Sequence, residues 1–317
     1  MNARYALDQI RRHWRDVGWW HTRVVSRLVG PALGAIHPLE GIDYMERDWD
    51  NLLILDACRA DMFEETISTD QFDSYERVVS PGSSSPEWME ATFTGREFPD
   101  TVYLSGNPWI AKTASSTFHD LVNIWVDDFG VDESELEDNI VLGEVESADH
   151  GTVHPDTMNE AARRIHEQYP DKRLIIHYFQ PHAPVCGYAD GTRREEINHD
   201  LHPGAIREGK VTREEVWEAY QENLQYVYHY ASKLAEDLGG RSVFTADHGE
   251  LFGEWMRPFP IRGYMHPSRV RHPDLVTVPW AAVEHGPRRE ITAGSVTTVE
   301  SDEDVVDERL RDLGYKV

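Results

Sequence analysis

A chain of 317 residues, 40% of them hydrophobic, is long enough for one large α/β domain, alone or with an appendage. Its formal net charge of −26 excludes nucleic acid as a partner, because a phosphodiester backbone calls for a basic footprint. No stretch reaches eighteen uninterrupted apolar residues, and the Arg-rich start has no apolar segment ending at a small-residue cleavage site. Neither a membrane span nor a secretory signal is expected, which points to the cytoplasm.

Only five of the 31 basic residues are lysine (Lys112, Lys172, Lys210, Lys233, Lys316). An acidic surface that prefers Arg fits a protein built for high salt, as in halophilic archaea, where self-repulsion is screened. Cys58 and Cys186 can make neither a disulfide framework nor a Cys-only zinc site, and read as small buried residues beside the active site.

Residues 1–40 stand apart. Six arginines (Arg4, Arg11, Arg12, Arg15, Arg23, Arg27) face only Asp8 and Asp16 in the first thirty residues, leaving −30 for the rest of the chain. With Ile10, Trp14, Trp19, Trp20, Val24, Val25 and Leu28, this stretch reads as a broken amphipathic helix. Such a helix either makes peripheral contact with an anionic membrane or lipid-linked substrate, or packs on the acidic body. Pro31 and Pro38 then form a linker to a catalytic domain over 41–317.

From Trp49 the pattern alternates. Asn51-Leu-Leu-Ile-Leu-Asp56, Arg173–Phe179 and Arg241–Ala246 are short apolar runs of the kind buried in parallel sheets. Thr101–Leu104 and Thr277–Val283 are further strands. Helical patterns cover Pro155–Gln168 and Thr212–Leu238, the second opening on a capping box (Thr212, Glu215) and closing on Gly239-Gly240. Gly187–Lys210 is polar and irregular, and Asp302–Leu313 reads as a closing helix before Gly314. The expected fold is α/β, a mixed, largely parallel central sheet with helices on both faces and a ligand beyond the strands' carboxyl ends.

The chemistry concentrates at strand ends. Asp247-His248 follows one strand and Asp56 ends another, and Gly249 lets the backbone turn tightly. Carboxylates with an imidazole suit Zn²⁺ or Mn²⁺ well and Mg²⁺ less well. Ser85, before Pro86 and Glu87, also fits a helix N-cap.

Thr245-Ala-Asp-His-Gly-Glu-Leu-Phe-Gly253 resembles the signature of the alkaline phosphatase superfamily in its sulfatase and phosphoethanolamine-transferase branch. Asn51–Asp56 resembles that family's first strand, and Ser85–Arg96, closing on Thr94-Gly95-Arg96, its nucleophile segment. Pro181-His-Ala-Pro184, and Gly263-Tyr-Met-His266 with Val278-Pro279, are similar to two later motifs, so five segments match in family order.

The resemblance implies an alkaline phosphatase-like fold and one divalent ion held by Asp56, Asp247, His248 and the Ser85 oxygen, with a second ion conceivable at His266. It implies that Ser85 attacks phosphorus to give a covalent intermediate, resolved by water or an alcohol. Counting back from Thr94-Gly95-Arg96 selects Ser85; a nucleophile-x-Pro spacing selects Ser84. His182 and His266 match positions facing the transferred group. Arg59 either binds an ester oxyanion or pairs with Asp61. Asn107 either binds a phosphate oxygen or only turns the chain before Pro108.

Two departures set the chemistry apart. Neither Ser84-Ser85-Pro86-Glu87-Trp88 nor Cys58-Arg59-Ala60-Asp61-Met62 carries the arginine required for formylglycine formation, so phosphate esters are favoured over sulfate esters. The Asp-x-x-x-His pair of two-zinc phosphatases is missing, so one tight metal site is expected. The alternatives are a sulfatase, or a non-catalytic member binding a glycan or lipid head group. Expected substrates are small-molecule, glycan or lipid-linked anionic esters.

Overall fold

The protein is described by a computed structural model that covers residues 11–15, 17–36, 40–124, 140–141, 152–299 and 303–312. Pro38, Gly314 and residues 1–10, for which the sequence makes specific predictions, lie outside the described residues.

The chain begins helically. Helix α1 (Val17–Val24) widens into a π-helical turn (Val25–Val29) and continues as α2 (Gly30–Ile36). Pro31, expected in a linker, is instead the second residue of α2; the widened turn before it accommodates a residue with no N–H. Val25, Val29 and Leu33 are buried against Leu251, Met256, Val270 and Leu275, so this segment packs on the body.

The alternating region follows as β1 (Asn51–Asp56), α3 (Ala60–Thr66), β2 (Ser74–Val79), α4 (Ser85–Phe93), β3 (Phe98–Ser105), α5 (Trp109–Thr113) and β4 (Phe118–Asn123). After a small pair, β5 (Ile140–Val141) and β6 (Thr152–Val153), come α6 (Pro155–Gln168), β7 (Arg173–Pro181), α7 (Pro203–Glu208), α8 (Arg213–Leu238) and β8 (Gly240–Thr245). A hairpin, β9 (Leu251–Trp255) and β10 (Arg262–Met265), leads to α9 (Pro273–Val276), β11 (Thr277–His285) and α10 (Glu303–Asp312).

Seven strands form one sheet in the order β2-β11-β8-β1-β7-β3-β4. Strands β8, β1, β7, β3 and β4 pair in parallel, while β11 runs antiparallel to β8 and β2. The sheet is mixed, mostly parallel and flanked by helices. The apolar composition of β1 explains its central place: all six residues are buried, as a strand covered on both faces requires.

Alternation on β7 marks the two faces. The Tyr178 hydroxyl donates to Asn159 on α6 at 2.6 Å, whereas His177, one residue earlier, meets Tyr103 and the Trp88 ring of α4. On the α6 side, α8 is anchored by the capping box of Thr212 and Glu215, a device worth about 1 kcal/mol.

The polar stretch 187–210 holds one short helix, α7. Strand β2 is illegible in sequence because its Ser-Tyr-Glu-Arg start is half exposed at the sheet edge. The β9–β10 hairpin hides behind the motif that precedes it.

Candidate metal and anion site

The site grows from two neighbouring strand ends. Because β1 and β8 are parallel partners, their carboxyl ends lie side by side, bringing Asp56 near Asp247. The chain leaves β1 sharply: Ala57 has φ 60°, and the Cys58 N–H returns to the Leu55 carbonyl at 3.2 Å. After β8 the turn depends on Gly249, where a Cβ would lie 2.2 Å from the Asp274 carbonyl oxygen. Its N–H donates to Leu275 O at 2.7 Å, tying the turn to α9.

One ligand atom from each of Asp56, Asp247 and His248 falls within 4.8 Å of the others, and all three residues are buried. His248 Nδ1 lies 2.8 Å from the Gly249 carbonyl, which can only accept, so Nδ1 carries the proton and Nε2 presents a lone pair to the cluster. Asp247 Oδ1 accepts from the backbone N–H groups of Ala57 and His248, at 3.2 and 2.9 Å. Asp247 Oδ2 and Asp56 Oδ1 are buried without a hydrogen-bond partner. Orphaned carboxylate oxygens are costly, and a divalent cation among them would satisfy both. The donor set therefore fits a metal ion.

The three serines before α4 do different work. Ser83 donates to the Glu87 carboxylate at 2.7 Å, and Ser84 pairs with the Ser268 hydroxyl at 2.7 Å. Ser85 turns inward, its Oγ 3.2 Å from His248 Nε2 and 3.4 Å from Asp56 Oδ2. The N-cap position belongs to Ser84, not Ser85, and its side chain makes no capping bond. Ser85, as first residue of α4, sits at the positive end of the helix.

Asn107 turns the chain and also reaches the cluster. Its Oδ1 accepts from the Trp109 N–H at 3.1 Å, closing the turn into α5. Its Nδ2 donates to Asp56 Oδ2 at 2.8 Å and lies 3.1 Å from Ser85 Oγ.

Arg59 takes the second of the two roles considered for it, the pair with Asp61. Its guanidinium does not face the cluster as a substrate contact; it is buried in an ion-pair network with Asp61, Glu254 and Asp274, at 2.6, 2.7 and 3.4 Å. Asp61 on α3, Glu254 on β9 and Asp274 on α9 hold it there; burial would lower its pKa, and the three carboxylates raise it instead.

The sequence does not predict His177. It lies on β7 with Nδ1 2.6 Å from the Tyr103 hydroxyl, and its Nε2 points at Asp56 Oδ2 (3.5 Å) and Asp247 Oδ2 (3.9 Å). The only signal available is a histidine interrupting the apolar run Leu174–Phe179.

A second cluster, of His182, Glu250 and His266, adjoins the first, and its ligand atoms also lie within 4.8 Å of one another. The His266 ring is 4.7 Å from that of His248 and 4.9 Å from that of His182. Glu250 accepts from the Tyr220 hydroxyl at 3.3 Å and faces His266 Nδ1 at 3.0 Å. Glu250 belongs to the Asp-His-Gly-Glu motif but has no role assigned from sequence. His182 and His266 keep a small exposure, so the site opens on their side.

Electrostatics divide the two clusters. Burial raises the Asp56 carboxyl, but the imidazoles of His177, His182 and His248 around it outweigh it and hold the group below the usual carboxylate range. Burial lowers His182, with the His266 charge acting in the same direction. Burial would also lower His266, yet the Glu250 carboxylate beside it prevails and raises it. Both cysteines are free and buried, and burial pushes the Cys186 thiol up to about 11.

No family model matches the chain, and no curated protein matches it. Among solved structures it is similar to the integral membrane lipooligosaccharide phosphoethanolamine transferase A (EptA) of Neisseria meningitidis. That likeness has 12% identity and a TM-score of 0.48, covering 78% of this chain and 49% of the other. A protein in the alkaline phosphatase superfamily from Vibrio parahaemolyticus is similar at 12% identity and a TM-score of 0.40, covering 86% and 70%. The lipoteichoic acid synthase LtaP of Listeria monocytogenes gives 13%, a TM-score of 0.42, and 90% and 78%. The chain spans about half the length of the Neisseria transferase. Likenesses this distant say nothing of this chain's reaction or substrate.

Proposed function

We propose that this chain is a metal-dependent transferase or hydrolase of phosphate esters in the alkaline phosphatase superfamily, with Ser85 as the nucleophile. The observation that carries the reading is the convergence of Ser85 Oγ on Asp56, His248 and Asn107 within 3.4 Å, beside two orphaned carboxylate oxygens. The five matching motifs in family order support it independently.

Asp56, Asp247, His248 and Ser85 would hold the ion, and this donor set favours Zn²⁺ or Mn²⁺ over Mg²⁺. Such an ion supplies Lewis acidity that lowers the serine pKa and offsets developing negative charge. Asn107 orients Ser85 and Asp56 together, and the first turn of α4 presents its positive end to an anionic group. Ser85 Oγ attacks phosphorus and expels the ester oxygen, leaving a phosphoryl-serine ester that water or an acceptor alcohol resolves. His266, with its raised pKa, holds a proton for the departing oxygen. His182, kept neutral, offers Nε2 to the incoming hydroxyl, because its Nδ1 donates to the Ala183 carbonyl at 2.6 Å. In a second reading, favoured by the three-donor cluster itself, His182, Glu250 and His266 bind a second cation.

The substrate class is an anionic ester, small, glycan-borne or lipid-linked. Turnover of a chromogenic phosphodiester and a phosphomonoester, with Zn²⁺ or Mn²⁺, tests the reaction. Ser85→Ala should lose at least ~10³-fold in kcat and the quench-trapped mass adduct on Ser85. Undiminished turnover in Ser85→Ala would sink the proposal. A formylglycine mass at Ser84, Ser85 or Cys58 would instead favour the sulfatase alternative.

A further inference from the structure

Among the described residues, seven large apolar side chains are exposed, and six of them lie on the N-terminal segment or the β9–β10 hairpin: Trp14, Trp20, Leu28, Ile36, Trp255 and Met265. In this belt, contacts tie Trp14 to Trp20, Ile36 to Trp255, and the helical segment to the hairpin that carries Met265. The Trp20 indole donates to the Trp14 carbonyl at 3.3 Å, and His21 meets the Arg262 carbonyl at 2.6 Å. Ile36 lines an open groove of about 620 Å³ with Trp255, Pro258, Phe259 and Pro260. Beneath the belt, the buried contact of Val25, Val29 and Leu33 with Leu251 and Met256 fixes the helices to the hairpin.

The belt is also the basic part of an acidic molecule. The guanidinium of Arg15 lies 4.4 Å from the Trp14 ring centre, and that of Arg262 4.4 Å from Trp255. Arg11 and Arg257 are exposed alongside. Tryptophan with arginine beside exposed aliphatic side chains is the chemistry of a membrane interface: indoles enter the headgroup level while guanidinium groups bind lipid phosphates.

We propose that this belt docks the protein on an anionic lipid bilayer, with the hairpin turned so that Met265, and His266 after it, stand at the membrane side of the site. A second copy of the chain is a poor occupant, because a two-fold contact would set arginines against arginines. The −30 carried by the remaining chain does not forbid docking, since charges beyond a screening length of about 8 Å are largely hidden at physiological ionic strength. No helix among the described residues is long and apolar enough to cross the membrane, so the attachment is to its surface. The proposal stands whether or not the chain turns over phosphate esters.

The test is cosedimentation of the full chain with phosphatidylcholine vesicles, with and without phosphatidylglycerol, at physiological ionic strength. Binding should require phosphatidylglycerol, and each arginine removed should weaken it roughly fivefold, so Arg15→Gln with Arg257→Gln loses about 25-fold. Trp20→Ser with Trp255→Ser should abolish it. Quenching of wild-type tryptophan emission by brominated lipid reads the same contact without any variant. Absence of binding to phosphatidylglycerol vesicles, equal binding to neutral ones, unchanged binding by both double variants, or a stable dimer that conceals the belt would overturn the proposal. Asp247→Asn should bind vesicles as wild type does, which separates this outcome from any failure of the metal site.

Discussion

Asp247→Asn should abolish stabilisation by metal without weakening the metal-free protein. In the metal-free cluster two buried carboxylates have oxygens within 4.8 Å. At an effective dielectric of 20, unit charges at that distance repel by about 3.5 kcal/mol. Hydrogen bonds relieve part of this: Asp247 Oδ1 accepts two backbone N–H groups, and Asp56 Oδ2 accepts Asn107 Nδ2. The orphaned oxygens, Asp56 Oδ1 and Asp247 Oδ2, receive no such relief. A divalent ion at a hundred times its dissociation constant should stabilise the wild type by about 2.7 kcal/mol. In a chain of this length that raises the melting temperature by about 5 °C. Asp247→Asn keeps the side-chain shape, removes one negative charge and forfeits the ligand. The variant should therefore melt no lower than the metal-free wild type and gain less than about 1 °C from Zn²⁺ or Mn²⁺. Differential scanning calorimetry after chelation and stepwise reloading measures both numbers. Equal metal-induced shifts in the two proteins, or none in the wild type, would refute the assignment.

Asn107→Ala removes the amide shared by Ser85 and Asp56, a hydrogen bond to a charged group worth about 1.5–3 kcal/mol, so kcat/KM should fall roughly 10- to 150-fold; a loss below threefold would deny it an orienting role. Gly82→Ala would place a Cβ 2.3 Å from the Trp88 backbone nitrogen, forcing the start of α4 to move, so turnover should drop together with about 1–3 kcal/mol of stability, and unaltered kinetics would contradict that packing. At acid pH, burial raises the Asp61 carboxyl but the Arg59 hydrogen bond and charge outweigh it, leaving its pKa below the ordinary value. The stability it contributes is therefore complete above its unfolded pKa and fades as pH falls through the folded one, below about pH 4. Asp61→Asn should flatten that acid limb in melting curves, and parallel curves for the two proteins would rule out the linkage.

What the sequence reveals about the site depends on how local each determinant is. Asp56 and Asp247 are legible because one ends an apolar run and the other directly follows one, and buried parallel strands deliver such residues to the sheet's carboxyl edge. Helices α6 and α8 are legible because their caps and periodicity lie within their own sequence. The choice among Ser83, Ser84 and Ser85 is only partly local. It is made by Glu87 and by Pro267 and Ser268, nearly two hundred residues downstream, which occupy the first two hydroxyls and leave Ser85 to the cluster.

His177 was hidden for a related reason. A strand alternates its side chains, but which face looks toward Asp56 and Asp247 is decided only when β7 pairs with β1 on one side and β3 on the other. That pairing sets Tyr103 behind its Nδ1 and the two aspartates before its Nε2. If Tyr103 donates to Nδ1, Nε2 carries the proton and donates toward Asp56, fixing the carboxylate's orientation; if Nδ1 donates instead, Nε2 offers a lone pair to the same space. In either tautomer the residue acts on the carboxylate pair on which the proposed chemistry depends. The same logic explains Arg59: one helical turn from Asp56 in sequence, it is drawn away by Glu254 and Asp274, which only the folded chain supplies.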